Sequence, residues 1–437
     1  MIKKYREPFS KLYDNIKENE NYKNVFWIYF FSYLAAPLAY IIKIIFARNL
    51  TLEEFGLLYS IIGFYLMLSI FVNWGLPQTF NYYGVKYFEQ NNYKKFNNLI
   101  YFSFIFQSII TIVLIILIII LNKYLESTYF SYENSNKYLL GFIIYFIFLN
   151  LNANLKHIYI SLGEVKKFKT IEINILLSSI ILIPIILLNS NIISAIIILT
   201  IPQIIVFIYY FILLFKINNK IKIVKNKICT LENKKILSYS TNIFLGVAAL
   251  LLITRIDIII ITKFIGVVEV GIYEVIFSIS MIIATLILPI LQVLFPNISK
   301  YEKEVKIVRS MIFKSYSLII FLSLIIITPI FIFSEEIISF LFGNSFVNFS
   351  IETKIMIIAI FFYIIFQSNF SILSGLNELK KRNLILLIGG TLNIILNILL
   401  IKKLGFIGVF ISTLIVFIFL SITTSMLVYY RIKLQKT

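Results

Sequence analysis

Twelve long apolar segments, parted by short basic loops, fill nearly all of this 437-residue sequence. Stretches such as "SIITIVLIILIIIL" are too long and too apolar for the surface of a water-soluble domain. The hydrocarbon core of a bilayer is about 30 Å thick and takes roughly 20 apolar residues of helix to cross. Only helices and closed barrels satisfy their backbone groups there. Barrel strands alternate polar with apolar residues, and these segments do not. The pattern predicts an all-α integral membrane protein whose work is done across, or inside, a bilayer.

The charge balance supports this. The formal net charge is +19, which in a soluble protein would suggest nucleic acid. Here the basic residues sit in loops between spans, where positive-inside sorting accounts for them, so no nucleic-acid partner is expected. The spans read as roughly 25–47, 56–74, 98–121, 138–160, 170–188, 192–215, 237–262, 272–295, 311–333, 354–375, 383–401 and 406–430. Of the 40 Lys and Arg, 30 fall at the termini, in loops on the termini side or in the adjoining span ends, Lys156 among them, and 7 in the loops and adjoining span ends on the other side, Lys354 among them. This asymmetry predicts cytoplasmic termini and an even number of spans. The division follows: a cytoplasmic segment 1–24, a six-helix bundle 25–215, a basic cytoplasmic linker 216–236, a second six-helix bundle 237–430, and a tail 431–437. No cleavable signal peptide is read before the first span.

The halves repeat. "RNLTLEEFGLLYS" after span 1 matches "KFIGVVEVGIYEV" after span 7, aligning Arg48 with Lys263, Glu54 with Glu269 and Gly56 with Gly271 at an offset of 215. Farther on, Glu164 of "GEVKK" aligns with Glu378 of "NELKK" at an offset of 214. Six spans per half make the repeats parallel, which implies a pseudo-twofold axis along the membrane normal and a central cavity.

Three stretches carry a family resemblance: "ARNLTLEEFGLLYSIIGFYLMLSIFVNWGLPQTF", "RIDIIIITKFIGVVEVGIYEVIFSIS" and "LSGLNELKKRNLILLIGGTLNIILNILLIKKLGFIGVFIST". In order and spacing they resemble bacterial polysaccharide flippases of the multidrug/oligosaccharidyl-lipid/polysaccharide superfamily, of the Wzx O-antigen type. The resemblance implies a MATE-like fold, two six-helix bundles in a V. It implies movement of an undecaprenyl-diphosphate-linked glycan to the outer leaflet of a bacterial cytoplasmic (inner) membrane, for O-antigen, capsule or exopolysaccharide. Membrane lipids, a polysaccharide polymerase and a chain-length regulator are the implied partners, and the protein is expected to be a monomer. The lipid II flippases of the superfamily carry more spans, which disfavours that branch. A multidrug or metabolite antiporter of the same superfamily is the alternative. A membrane polymerase or ligase fits less well, because no large external loop is read.

Charges inside spans cost about 2.5–3.5 kcal/mol at a helix centre on insertion scales. Lys43, Arg255, Asp257 and Lys314 stand out. Facing a shared cavity, Lys43, Arg255 and Lys314 would attract a diphosphate, and Asp257 would hold the cations in place or take up a coupling proton. Alternatively Lys43 snorkels to the interface. Arg255 and Asp257 are two residues apart and do not share a helix face. Asn150, Asn154, His157 and Ser161 form a stripe on span 4, and Gln367, Ser371 and Ser374 answer on span 10. Asn150, Asn154 and Gln367 suit a path for sugars, or else hydrogen bonds between helices. Asn393 and Asn397 read as structural. Pro37, central in span 1, is expected to kink it. One histidine and one cysteine, Cys229, leave no disulfide framework and little for a metal site. With no phosphate-binding loop or nucleophile–base set, neither a cofactor nor an enzymatic activity is expected.

Overall fold

The computed structural model describes residues 20–217, 221, 230–288, 298, 304–376 and 378–434. Most of the 1–24 segment, most of the 216–236 linker with Cys229, the end of the 431–437 tail, and Pro289 and Pro296 lie outside the described residues.

Twelve helices among the described residues are long and apolar enough to cross a membrane. The first half holds α1 (Glu20–Asn49), α2 (Leu52–Asn73), α3 (Tyr93–Ile120), α4 (Ile143–Ser161), α5 (Val165–Ile181) and α6 (Ile192–Ile217). The second holds α7, in two pieces (Thr230–Thr254 and Ile256–Phe264), then α8 (Val267–Ile287), α9 (Val305–Ile332), α10 (Ser350–Gly375), α11 (Leu379–Leu404) and α12 (Ile407–Leu434). The halves pack alike. In the first, α1 lies on α5, α4 on α6, and α5 on α6; in the second, α7 lies on α11, α10 on α12, and α11 on α12. These pairs correspond one to one under the sequence repeat, giving the MATE-like arrangement of two six-helix bundles. Isoleucines and leucines on α3, α6 and α9 stay exposed, among them Ile112, Ile116, Ile205, Leu324 and Ile325. Such continuous apolar surface suits lipid rather than water.

Across the halves, α2 packs on α8. The contact depends on a pair of glycines. A Cβ at Gly56 would fall 1.9 Å from the Val267 carbonyl oxygen, and one at Gly271 would fall 3.1 Å from the Gly56 Cα. The aligned Gly56 and Gly271 therefore meet because neither carries a side chain. α2 starts abruptly at a capping box: Thr51 Oγ1 accepts from Glu54 N at 3.2 Å, and Glu54 Oε2 accepts from Thr51 N at 3.1 Å.

Pro37, Pro202 and Pro329 sit inside unbroken helices. The break in a span that matters for function has no proline: α7 is interrupted at Arg255, whose φ and ψ are −137° and −11°. An interrupted turn leaves carbonyls without helical partners. Asn393 of α11 answers, its Nδ2 approaching the Leu252 and Ile253 oxygens at 3.2 and 3.3 Å.

Candidate functional site

Two buried carboxylates organise the centre of the molecule. The first was not anticipated. Glu274 lies two turns into α8, with 2% of its side chain exposed, and joins two cations. Lys43 Nζ of α1 donates to Glu274 Oε2 at 2.6 Å, and Arg255 Nη1 donates to Oε1 at 3.0 Å. Lys43 also donates to Ser278 Oγ at 2.7 Å and sits 4.7 Å from the Tyr59 ring centroid. The Arg255 guanidinium lies 5.1 Å from the Phe277 centroid. The triad comes from α1, α7 and α8, and Tyr59 of α2 flanks it, so the first two helices of each half meet there. The Arg255 break turns this side chain toward α8, and 31% of it remains accessible. Two cations share one carboxylate, so the group carries a surplus positive charge.

The second carboxylate is Asp257, 1% exposed. Its neighbours are neutral. Asn393 Nδ2 and Asn397 Nδ2 donate to Oδ1 at 3.1 and 2.8 Å, while Tyr273 OH and Thr413 Oγ1 donate to Oδ2 at 2.7 and 3.2 Å. Asp257 therefore does not balance the cations, as one sequence expectation held; Glu274 does. Two residues apart on a helix, Arg255 and Asp257 point to different partners, as the spacing required. Those partners are adjacent on α8, Glu274 for one and Tyr273 for the other.

The remaining expected residues separate. Lys314 is exposed on α9 and joins neither cluster. Asn150 is held in an amide chain: Gln107 Nε2 donates to Asn73 Oδ1 at 2.9 Å, and Asn73 Nδ2 to Asn150 Oδ1 at 2.9 Å. Asn150 Nδ2 ends the chain on the Phe146 carbonyl at 2.8 Å. Asn154 is fully buried, and among the described residues neither its oxygen nor its nitrogen has a hydrogen-bond partner. The polar stripe of α4 is thus rotated from the expected one. Its cavity face carries Leu149, Asn150, Ala153 and Lys156, while His157 Nδ1 sits 2.9 Å from Asn81 Oδ1 and Ser161 donates to its own helix. Gln367 Nε2 donates to Tyr363 OH at 2.8 Å. Among the described residues no cluster of three His, Cys, Asp or Glu side chains could hold a metal ion.

The face opposite the termini is tied across the halves in matching ways. Arg48 Nε donates to the Leu341 carbonyl at 2.9 Å and its Nη2 to that of Phe340. Its repeat partner Lys263 donates to the Thr128 carbonyl at 2.6 Å. Each cation ends the first span of one half and grips the connection between the third and fourth spans of the other. On the termini side the halves also touch: Asn98 Nδ2 donates to Asn233 Oδ1 at 2.8 Å, Trp74 Nε1 donates to Thr241 Oγ1 at 3.0 Å, and Tyr82 stacks on Tyr239 with centroids 5.4 Å apart. A cavity of about 690 Å³ lies within the second half, between α7, α10 and α11, lined by Tyr239, Asn242, Phe370, Arg382 and Asn383. Another, of about 240 Å³, lies between α2, α4 and α7. The halves thus meet at both faces, with the smaller cavity between them on the termini side.

Comparison with known proteins agrees with this architecture. Residues 22–302 match the family described as polysaccharide biosynthesis protein. An uncharacterized membrane protein of Methanocaldococcus jannaschii is 26% identical over 419 residues, 90% of this chain and 80% of that one. Among solved structures, an inward-facing multidrug resistance MATE family transporter of the MOP superfamily superposes with a TM-score of 0.79 at 14% identity, covering 92% of this chain and 95% of its own. The lipid II flippase MurJ in an inward closed conformation gives 0.75 at 17% identity, covering 92% and 87%. At these identities the likeness is one of fold.

Proposed function

The chain belongs to the polysaccharide biosynthesis protein family, and on that premise we propose that it is a flippase. In this reading it carries undecaprenyl-diphosphate-linked oligosaccharide from the inner to the outer leaflet of the cytoplasmic membrane, by alternating access, for a surface polysaccharide. The observation that carries the reading is the Lys43–Glu274–Arg255 triad. It joins α1 of one half to α7 and α8 of the other and bears a surplus positive charge where water competes weakly. A diphosphate supplies the matching charge, and charge-assisted hydrogen bonds to phosphate are the strong ones. Lys43 and Arg255 hold the phosphates, and Glu274 keeps both cations oriented when the site is empty. The same surplus charge disfavours the alternative, an antiporter for cationic drugs. The basic loops support cytoplasmic termini, so the cavity between the halves lies on the side of the leaflet where the substrate is made.

Asp257 is the coupling group. A buried carboxylate surrounded by neutral donors keeps an uncompensated charge, which a proton or another coupling cation removes. Tyr273 and Glu274 are consecutive on α8, and Asp257 and Arg255 are two apart on α7. A change of charge at Asp257 is therefore passed directly to the helices that carry the substrate cations. The test is transport of a lipid-linked oligosaccharide in proteoliposomes made with the purified full chain. Protein-dependent appearance of the glycan in the opposite leaflet is expected. Drug–cation exchange without glycan movement would overturn the reading in favour of the antiporter.

A further inference from the structure

Lys156 has no role in the site described so far, and its surroundings are unusual for a lysine. It lies within α4 on a half-buried face. Among the described residues it forms neither a hydrogen bond nor an ion pair. The neighbouring acid Glu172 is 3.8 Å from Lys169 instead. A charge inside a membrane helix is costly and marks a ligand path more often than a structural contact. Lys156 lines the cavity of about 240 Å³ together with Asn73, Gln78, Asn150, Phe244 and Leu251. That volume equals about eight waters at liquid density, room for an acidic group and part of its sugar ring. The amides are held ready by the Gln107–Asn73–Asn150 chain, and Gln78 Oε1, buried and without a hydrogen bond among the described residues, can accept one from a sugar hydroxyl beside the anion. Leu251 lies four residues before Arg255 in α7, so the cavity lies on the termini side of the triad.

We propose that Lys156, with Asn73, Gln78 and Asn150, forms a second oxyanion site, which holds an acidic group of the translocated glycan. The inference rests on the flippase reading. A sugar carboxylate and the lipid diphosphate offer the same chemistry, an oxyanion beside hydroxyl or phosphoryl oxygens. A lysine that meets a mobile, hydrated ligand suits this better than a fixed fork would.

A built-in reporter makes the test direct. Trp74 stacks on Phe244 with centroids 4.2 Å apart, and Phe244 lines the cavity. Trp27 is the only other tryptophan, so Trp27→Phe leaves Trp74 as the sole emitter. The purified full chain carrying Trp27→Phe is titrated with a uronic-acid trisaccharide, a neutral hexose trisaccharide and farnesyl diphosphate. At least one anion is expected to give a saturable change in Trp74 emission that the neutral sugar does not. Lys156→Gln should weaken that anion by about tenfold, the equivalent of about 1.4 kcal/mol, and Lys156→Arg should restore most of it. Loss of the trisaccharide response identifies a sugar carboxylate as the ligand; loss of the diphosphate response identifies the lipid phosphates. Since Lys156 makes no hydrogen bond or ion pair among the described residues, and Lys169 opposes its attraction to Glu172, the thermal midpoint of Lys156→Gln should equal or exceed that of the parent. Unchanged affinity for both anions in Lys156→Gln, equal weakening of the neutral sugar, or a lowered midpoint each overturn the proposal. Charge-dependent binding by a protein that moves no glycan would refute the flippase reading alone. Glycan transport without such binding would refute the second site alone.

Discussion

Glu274 and Asp257 are both fully buried, both in the second half, and both within reach of α7 and α8, yet their surroundings are opposite. Glu274 lies between two cations, at 2.6 and 3.0 Å. Asp257 accepts four hydrogen bonds, all from neutral groups. A carboxylate already paired with charge has little to gain from a proton or cation, and its removal strands its partners. A carboxylate held by amides and hydroxyls can gain or lose a positive charge without disturbing an ion pair. On the proposed function, the difference gives the first the role of holding the cations that bind the substrate and the second that of coupling.

The largest effect is expected at Glu274. Glu274→Gln leaves Lys43 and Arg255 without a counter-charge, and breaking a buried pair from one side costs about 3–5 kcal/mol. Thermal unfolding of the purified variant should shift down sharply, and glycan export should fall to background. The double variant Lys43→Gln/Glu274→Gln should recover much of the stability and none of the export. A Glu274→Gln protein as stable as the parent would erase the contrast between the two carboxylates.

Arg255→Ala comes next. It removes a charge-assisted hydrogen bond of about 1.5–3 kcal/mol, which corresponds to a fall in export of roughly ten- to a hundredfold at equal membrane expression. Arg255→Lys should restore export only in part, since an ammonium cannot reproduce the planar fork. Full activity in Arg255→Lys would mean that charge alone matters there.

Tyr273→Phe sharpens the comparison from the other side. It deletes one of four donors to Asp257 and leaves Glu274 beside it intact. Stability should fall by about 1 kcal/mol, basal transport should persist, and the response to an imposed ion gradient should weaken. Lys314→Ala should have the smallest effect, with export and thermal midpoint unchanged, because Lys314 is exposed on α9 and touches neither cluster. A clear loss of export in Lys314→Ala would require a site outside the triad.

Hydropathy made the spans legible in the sequence, because crossing a bilayer imposes length and apolarity on every helix. The repeat was legible because the halves use the same glycines and basic residues at equivalent turns. Lys43 and Arg255 were found as charges where charge is costly, and they do meet at one acid. That acid was missed for a boundary reason. Placing span 8 at 272–295 put Glu274 at a helix end, where acids are common; with α8 starting at Val267 it lies in the interior. Lys156 was lost for a different reason: it lies inside span 4 as read, near its termini-side end, and was counted with the basic loop residues Lys166 and Lys167. Asn393 and Asn397 were read as structural, and their service to Asp257 and to the Leu252 and Ile253 carbonyls depends on α11 packing against a break that no proline announces. The rotation of the α4 stripe follows from packing too, since Asn154 and Asn150 are four residues apart and only the neighbouring helices decide which of them reaches the cavity.

The separation of roles is tested most directly by transport in proteoliposomes under imposed proton and sodium gradients, comparing the parent with Asp257→Asn and Glu274→Gln at matched protein density. The account predicts that the parent responds to at least one gradient, that Asp257→Asn still moves glycan at a rate neither gradient alters, and that Glu274→Gln moves none under any gradient. An Asp257→Asn protein that keeps the parent's gradient response, or a Glu274→Gln protein that transports at the parent's rate, would contradict it.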